Sequence, residues 1–404
     1  MKLRILHLAN FNSTNIGNGA LIYGTEQTLK EDLGPDVEFV PEAWDDYTFG
    51  LKTFDQAFVD LINEHDGLIV NGAVTFNGRA YLKNAGMRFD LPLELWPQIK
   101  KPVVFYGLSY RVWPGQTYFH KDKLVQALNY ILSRSDMILA VRNDGTKDWL
   151  GSFVGINTEK IVEVPDPALF VPTERYQHPE LAKDKLNVIV ALNNEDEVYR
   201  FGGPLRVLFW KLTPFLSEKH RVQIWNHMPL WYQKKHRLLK AIASSLEQLA
   251  LTHKANIILT PHYFDDYKML DELVVLTKPH VAHQQMVSSG LVKVTYTPYF
   301  YDRYSQADLA ISMRVHSISP SIGLGVPVVP IVSQNRIKDF LQGIGLSHLA
   351  VDMSDPQLSK QLTTAIEYAL SHKVEIQQKM AAAKQQLRNQ TKKFNMQVAR
   401  LLGL

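Results

Sequence analysis

Short apolar runs alternate with longer amphipathic stretches along nearly the whole chain. Leu3–Leu8, Val37–Val40, Gly67–Val70, Val103–Tyr106, Met137–Val141 and Ile161–Val164 are brief, mostly aliphatic or β-branched segments, a pattern that predicts buried strands. Between them, Ala20–Leu33, Phe54–Glu64, Asp122–Arg134 and Gly145–Gly151 read as helices. Such alternation predicts a parallel sheet with helices on both faces. The pattern pauses over Pro165–Glu180, which holds Pro165, Pro167, Pro172 and Pro179. It resumes with strands expected at Leu186–Leu192, Val222–Trp225, Asn256–Leu259, Leu291–Val294, Leu309–Ser312 and Val326–Val332. Helices are expected at about Arg206–Leu216, Pro229–Leu249, Asp265–Thr277 and Ile337–Gln342.

A linker near residues 172–185 therefore divides the chain into two α/β halves, 1–175 and 176–404. The expected architecture is two Rossmann-like, doubly wound domains facing a cleft. From about Gln357 the chain is helical, and Ile376, Met380, Ala383, Leu387, Phe394, Val398 and Leu401 form one buried stripe. The expectation is a C-terminal helix packing back across the domains. Its other face carries Lys379, Lys384, Arg388, Lys392 and Lys393. The plain reading is a solvated face; the sharper alternative is peripheral attachment to the inner face of an anionic membrane. The Lys234-Lys235-His236-Arg237 run reads the same way.

Composition narrows the classes. A chain of 404 residues with 46% hydrophobic and 21% charged residues is globular, long enough for two to three domains. It has no cysteine, which removes disulfides, thiolate metal sites and a cysteine nucleophile. A net charge of +4 over this length does not suggest nucleic acid as a partner. The apolar run at the N-terminus is broken by His7 and ends at Asn10, shorter than the roughly 7–15 residues of a secretion signal core. No window approaches the roughly 18 apolar residues of a membrane span, so a cytoplasmic protein is expected.

In open α/β sheets ligands bind at the C-terminal strand ends, so the loops after strands are where chemistry is sought. The strongest is Asp308–Ile331: a strand ends near Ser312, and a short helix opens near Ser317–Pro320. A helix start offers unpaired N–H groups to an anion, with Ser317 and Ser319 beside it. Arg314 adds a fork for carboxylate or phosphate, and His316 is the side chain there able to exchange a proton near neutral pH. A second loop, Val141–Thr146, places Arg142 as another anion clamp and Asn143 or Asp144 as a helix cap. The first loop, Asn10–Ala20, is rich in amides but lacks G-x-G-x-x-G spacing. Asn71-Gly72-Ala73 is a small-residue turn, Gly107–Gly115 offers Tyr110 and Trp113 for stacking on a sugar, and Thr260–Asp266 contains His262. There is no H-E-x-x-H, Walker A or G-x-S-x-G motif, and neither a metal nor a resident cofactor is expected.

These motifs together resemble the polysaccharide pyruvyl transferases. Asn15-Ile16-Gly17-Asn18 is similar to the family's N-x-G-D turn, Asn71-Gly72-Ala73 to its glycine-rich turn, and Val141–Asp144 to its R-D/E loop. Val164–Ala168 resembles the D-x-A segment, and Arg314-Val315-His316 with Gly325-Val326-Pro327 the R-x-H…G-x-P signature. Asn18 stands where the family usually has Asp, and Asn71 and Ala73 replace glycines. The resemblance implies a fold like glycosyltransferase type B and transfer of the enolpyruvyl unit of phosphoenolpyruvate onto two hydroxyls of a cell-surface or exopolysaccharide sugar. His316 and Arg314 then become the catalytic pair, with Arg142, Arg314, Ser317 and Ser319 on the donor. Asn15, Asn18, Gly72, Tyr110, Trp113 and His262 would meet the acceptor, which could be lipid-linked or nucleotide-linked. One rival is a type-B glycosyltransferase with a nucleotide-sugar donor, for which the Arg314 loop offers no carboxylate beyond Asp308. Another is a catalytically silent carbohydrate-binding homologue, against which Arg314 and His316 both argue.

Overall fold

The computed structural model describes residues 2–72, 74–226 and 229–404, so Ala73 of the small-residue turn lies outside the described residues. Two parallel sheets form the frame. The first contains β1 (Leu3–Ala9), β2 (Val37–Ala43), β3 (Gly67–Asn71), β4 (Val74–Phe76), β5 (Val103–Tyr110), β6 (Met137–Arg142) and β7 (Val162–Val164). Its order is β2-β1-β3-β5-β6-β7, with β4 on β5. The second contains β8 (Asn187–Ala191), β9 (Asn256–Leu259), β10 (Met286–Ser288), β11 (Leu309–Ser312), β12 (Val328–Val332) and β13 (Val351–Asp352), in the order β10-β9-β8-β11-β12-β13. In each sheet the strand order reverses once, between β1 and β3 in the first and between β8 and β11 in the second. These switch points are where open α/β sheets leave a crevice.

The strands formed where continuous apolar runs demanded burial on both faces: β3, β8 and β11 are buried throughout. Two predicted strands did not form. Val222–Trp225 lies inside a helix, Glu218–Asn226, whose start is held by Ser217 Oγ accepting the His220 backbone N–H. Three apolar residues around Gln223 do not by themselves distinguish a strand from a helix. The strand expected at Leu291–Val294 did not form, and the edge strand is Met286–Ser288; the chain leaves the sheet at Gly290, whose φ of 70° no strand continues through. A helix at Thr297–Ser305 was not expected, its run of aromatics masking the period.

The halves are joined by more than a linker. Residues Pro167–Phe170 form a buried 3₁₀ turn wedged against the helices Ile16–Leu33 and Val315–Gly323. The Ile16–Leu33 helix puts Ile16, Ala20 and Leu21 into the core of the second sheet and Leu29 into that of the first. The last helix, Lys373–Leu401, does the converse: Ile376, Met380 and Leu387 pack on the second core, Phe394 and Val398 on the first. Burial of each such side chain contributes about 1.5–3 kcal/mol. Its basic face is not simply solvated. Arg388 pairs with Glu31 and Asp32, Lys384 Nζ donates to the Gly323 carbonyl at 2.6 Å, and Lys379 pairs with Glu375. Lys235 of the other basic run is buried between Glu197 and Glu272. No helix among the described residues is long and apolar enough to cross a membrane.

Candidate functional site

The loops after β6, β7 and β11 meet where the two sheets face each other. Arg142 is the last residue of β6, Asp166 opens the 3₁₀ turn after β7, and His316 follows β11. Arg142 Nη1 lies 3.2 Å from Asp166 Oδ2 and 2.9 Å from His316 Nε2, and His316 Nε2 is 3.7 Å from Asp166 Oδ2. Arg142 and Asp166 are almost wholly buried, whereas the His316 side chain keeps 20% of its surface exposed. A guanidinium only donates, so His316 Nε2 accepts and the ring hydrogen sits on Nδ1. Burial, followed by the charges of Arg142, Arg336 and Arg314, holds the imidazole well below the ordinary histidine range. The free protein therefore presents a neutral histidine between fixed cations.

The ring is also held from behind. Tyr301 Oη donates to the His316 carbonyl at 2.6 Å, and a Cβ on Gly17 would stand 2.5 Å from His316 Nδ1. Gly17 lies in the first turn of the Ile16–Leu33 helix, whose cap is Asn15: Oδ1 accepts the Gly17 N–H at 3.1 Å. Gly17→Ala should therefore push the imidazole aside and lower turnover by about 10²-fold, as misplacement by an ångström does. Steady-state kinetics alongside circular dichroism check this; unchanged turnover in a folded G17A protein would show that the ring position is immaterial.

Several expected contacts are relocated by the structure. Arg314 is not a free fork: Nε and Nη2 pair with Asp266, Nη1 with Glu195 Oε2 at 2.9 Å, and Nε also meets the Leu192 carbonyl. Ser317 is buried and accepts from Tyr304 Oη; Ser319 is buried, and its Oγ finds no hydrogen-bond partner among the described residues. His262 is fully buried against Tyr304 Oη, so it belongs to the support beneath the β11 loop and not to an open acceptor face. Burial, then Arg314, keeps it neutral. Asn15 is spent on capping, and Asn18 Nδ2 donates to Ser13 Oγ at 2.8 Å. Gly72 serves backbone approach, since a Cβ there would be 1.8 Å from the Gly107 carbonyl oxygen. Asp144 does not cap the following helix; it accepts the hydroxyls of Ser109 and Thr146. Asn143 Oδ1 takes the Asp166 N–H.

Tyr110 and Trp113 do face a cleft, of about 580 Å³, between the two halves. Neither is an isolated platform. Tyr110 stacks on Trp149 at 4.9 Å, and Trp149 on Phe153 at 5.2 Å. Trp113 donates to Asp196 and lies beside Tyr199 and Arg200. Arg336, Arg200, Trp149, Asp266 and Glu195 were not singled out from the sequence, and Asp166 entered only as the aspartate of the D-x-A segment. Arg336 had a usable signal, because Ser333–Arg336 follows β12 and opens the Asn335–Gly343 helix, the same strand-end position as the other loops. Among the described residues no group of three or more histidine, aspartate or glutamate side chains is arranged to hold a metal.

Solved structures share this frame at low identity. S. aureus MnaA, in its co-structure with UDP, is 10% identical with a TM-score of 0.50, over 94% of this chain and 91% of that one. The spinosyn forosaminyltransferase SpnP is 9% identical with a TM-score of 0.50, over the full length of both. Both establish the two-domain glycosyltransferase type-B-like fold. No curated protein matches the chain in sequence. The profile described as "Polysaccharide pyruvyl transferase" matches residues 15–335, which include Arg142, Asp166 and His316, and the chain belongs to that family.

Proposed function

We propose that the protein moves the enolpyruvyl unit of phosphoenolpyruvate onto two hydroxyls of one saccharide residue, forming a cyclic pyruvate ketal. Family membership supports polysaccharide pyruvylation in general. The observation that carries the finer reading is the 2.9 Å contact between Arg142 Nη1 and His316 Nε2, which brings two family motifs from opposite halves to one point. A donor carboxylate or phosphate competes for Arg142, and its arrival frees Nε2 to accept the proton of an attacking hydroxyl. His316 passes that proton to the methylene carbon of the donor as the hydroxyl oxygen bonds to the neighbouring carbon. The bond from that carbon to the phosphate oxygen then breaks, phosphate leaves with the electron pair, and the second hydroxyl closes the ring. One hydroxyl proton ends on carbon and the other on phosphate. Fixed positive charge from Arg142 stabilises the departing phosphate, the kind of preorganised electrostatics that dominates most rate enhancements. No metal or resident cofactor enters this scheme.

Mass spectrometry tests it. Saccharides ending in galactose or N-acetylmannosamine, incubated with phosphoenolpyruvate and the protein, should release phosphate and gain one pyruvylidene unit. Transfer of a hexose from a nucleotide sugar, with no response to phosphoenolpyruvate, would move the assignment to a glycosyltransferase.

A further inference from the structure

The 580 Å³ cleft is large for a three-carbon enol phosphate; it lies in the range of pockets that enclose whole drug-sized ligands. Its walls have a particular chemistry. One side is the Tyr110–Trp149–Phe153 stack, and among the described residues the lining includes Arg111, Arg200 and Arg336 but no carboxylate. Arg111 is neutralised from behind by Glu195 and Asp196. The other two are less well matched. The Arg336 fork donates to Ser109 Oγ and Gln334 Oε1, and its nearest carboxylate, Asp144, is 3.8 Å away. Arg200 gives its bonds to Ser333 Oγ and the Glu195 carbonyl, both uncharged acceptors. A guanidinium has five N–H donors, so both retain donors beyond these bonds. Burial pushes Arg200 down to about 9 and Arg336 down to about 10, the mark of cations that an incoming anion would stabilise.

The cleft also adjoins the reacting pair. Asp144 stands between the two arginines, 3.9 Å from Arg142 and 3.8 Å from Arg336, and Ser109 bridges Asp144 to Arg336. Arg336, which lines the cleft, thus stands one carboxylate away from Arg142 and close enough to His316 for its charge to act on the imidazole. We propose that the acceptor enters as a phosphate-linked saccharide, its sugar against the Tyr110–Trp149–Phe153 wall and its phosphate on Arg336 and Arg200. This inference rests on the pyruvyl-transfer reading for the word acceptor, but the site itself is tested without the donor.

Binding is read by quenching of tryptophan fluorescence, since Trp113 and Trp149 line the cleft. Galactose and N-acetylmannosamine are each titrated as the free sugar, as the 1-phosphate and as the uridine diphosphate conjugate. The 1-phosphates should bind at least about tenfold tighter than the free sugars, one charge-assisted hydrogen bond's worth. R336Q should erase most of that difference, and R336K should restore part of it. A conjugate that binds no tighter than its 1-phosphate assigns any phosphate-linked end, lipid-borne included; a much tighter conjugate assigns the nucleotide. Equal affinity of free and phosphorylated sugars for the wild type overturns the proposal. So does an R336Q protein that loses affinity for phosphoenolpyruvate alone. Pyruvylation of a neutral glycan with no phosphate discrimination would remove this inference and leave the proposed function standing. Phosphate discrimination with no response to phosphoenolpyruvate would do the reverse.

Discussion

His316→Ala should release phosphate from phosphoenolpyruvate, with a competent acceptor present, about 10²–10⁴-fold more slowly than the parent, the range for one positioned acid–base group. The fold should survive, because the side chain is partly exposed and its neighbours Arg142 and Asp166 keep each other as partners. Binding of phosphoenolpyruvate, followed as a rise in melting temperature, should persist for the same reason. The pH profile gives an independent readout. Burial and three arginines depress the imidazole, so it is already unprotonated at neutral pH, and kcat/KM should show no histidine limb there. As the medium becomes more acid than the usual histidine range, the ring takes a proton, loses its capacity as a base, and activity falls. The variant should lack that acid limb. Undiminished turnover, or a limb that survives the substitution, would show that another group carries the proton.

Much of the frame was readable because parallel sheets buried on both faces demand unbroken apolar runs, and strands such as Gly67–Asn71 and Leu309–Ser312 supply them. The site was readable only in part. Strand-end loops are where side chains converge in this architecture, which is how Arg142 and His316 could be chosen although 174 residues separate them. Which side chain would remain open was not readable. Tyr110 keeps a cleft-facing position because the wall beside it is aromatic; His262, equally suitable in composition, is sealed under Tyr304. The difference lies in helix Thr297–Ser305, which supplies Tyr301 and Tyr304 and which no periodic apolar pattern announces.

Arg314→Ala should destabilise the protein by about 3–5 kcal/mol, the usual result of removing one partner from a buried ion pair. The sequence alone makes this arginine a gripping group for the donor; its surroundings give it structural work. Asp266, wholly buried, receives the guanidinium on both oxygens together with the backbone N–H groups of Asn194, His262 and Tyr263. Arg314 thus joins the loops after β8, β9 and β11 through one carboxylate, and its second contact, Glu195, sits in the β8 loop. Burial raises the Glu195 carboxyl, but Arg314 and Arg111 together outweigh it and hold the group below the ordinary range. Without Arg314, Asp266 keeps its amide donors and loses its countercharge, and Glu195 is left with the more distant Arg111 at 3.7 Å. R314K keeps a charge but not a fork, so it should recover a part of the loss. An Asp266→Asn change made in the same background should cost far less than it does alone, because the carboxylate it removes no longer has its partner. Urea unfolding of the parent, R314A, R314K, D266N and the R314A/D266N double variant measures both terms. A folded R314A protein of unaltered stability, binding phosphoenolpyruvate weakly, would restore Arg314 to the donor and show the Asp266 pair to be incidental.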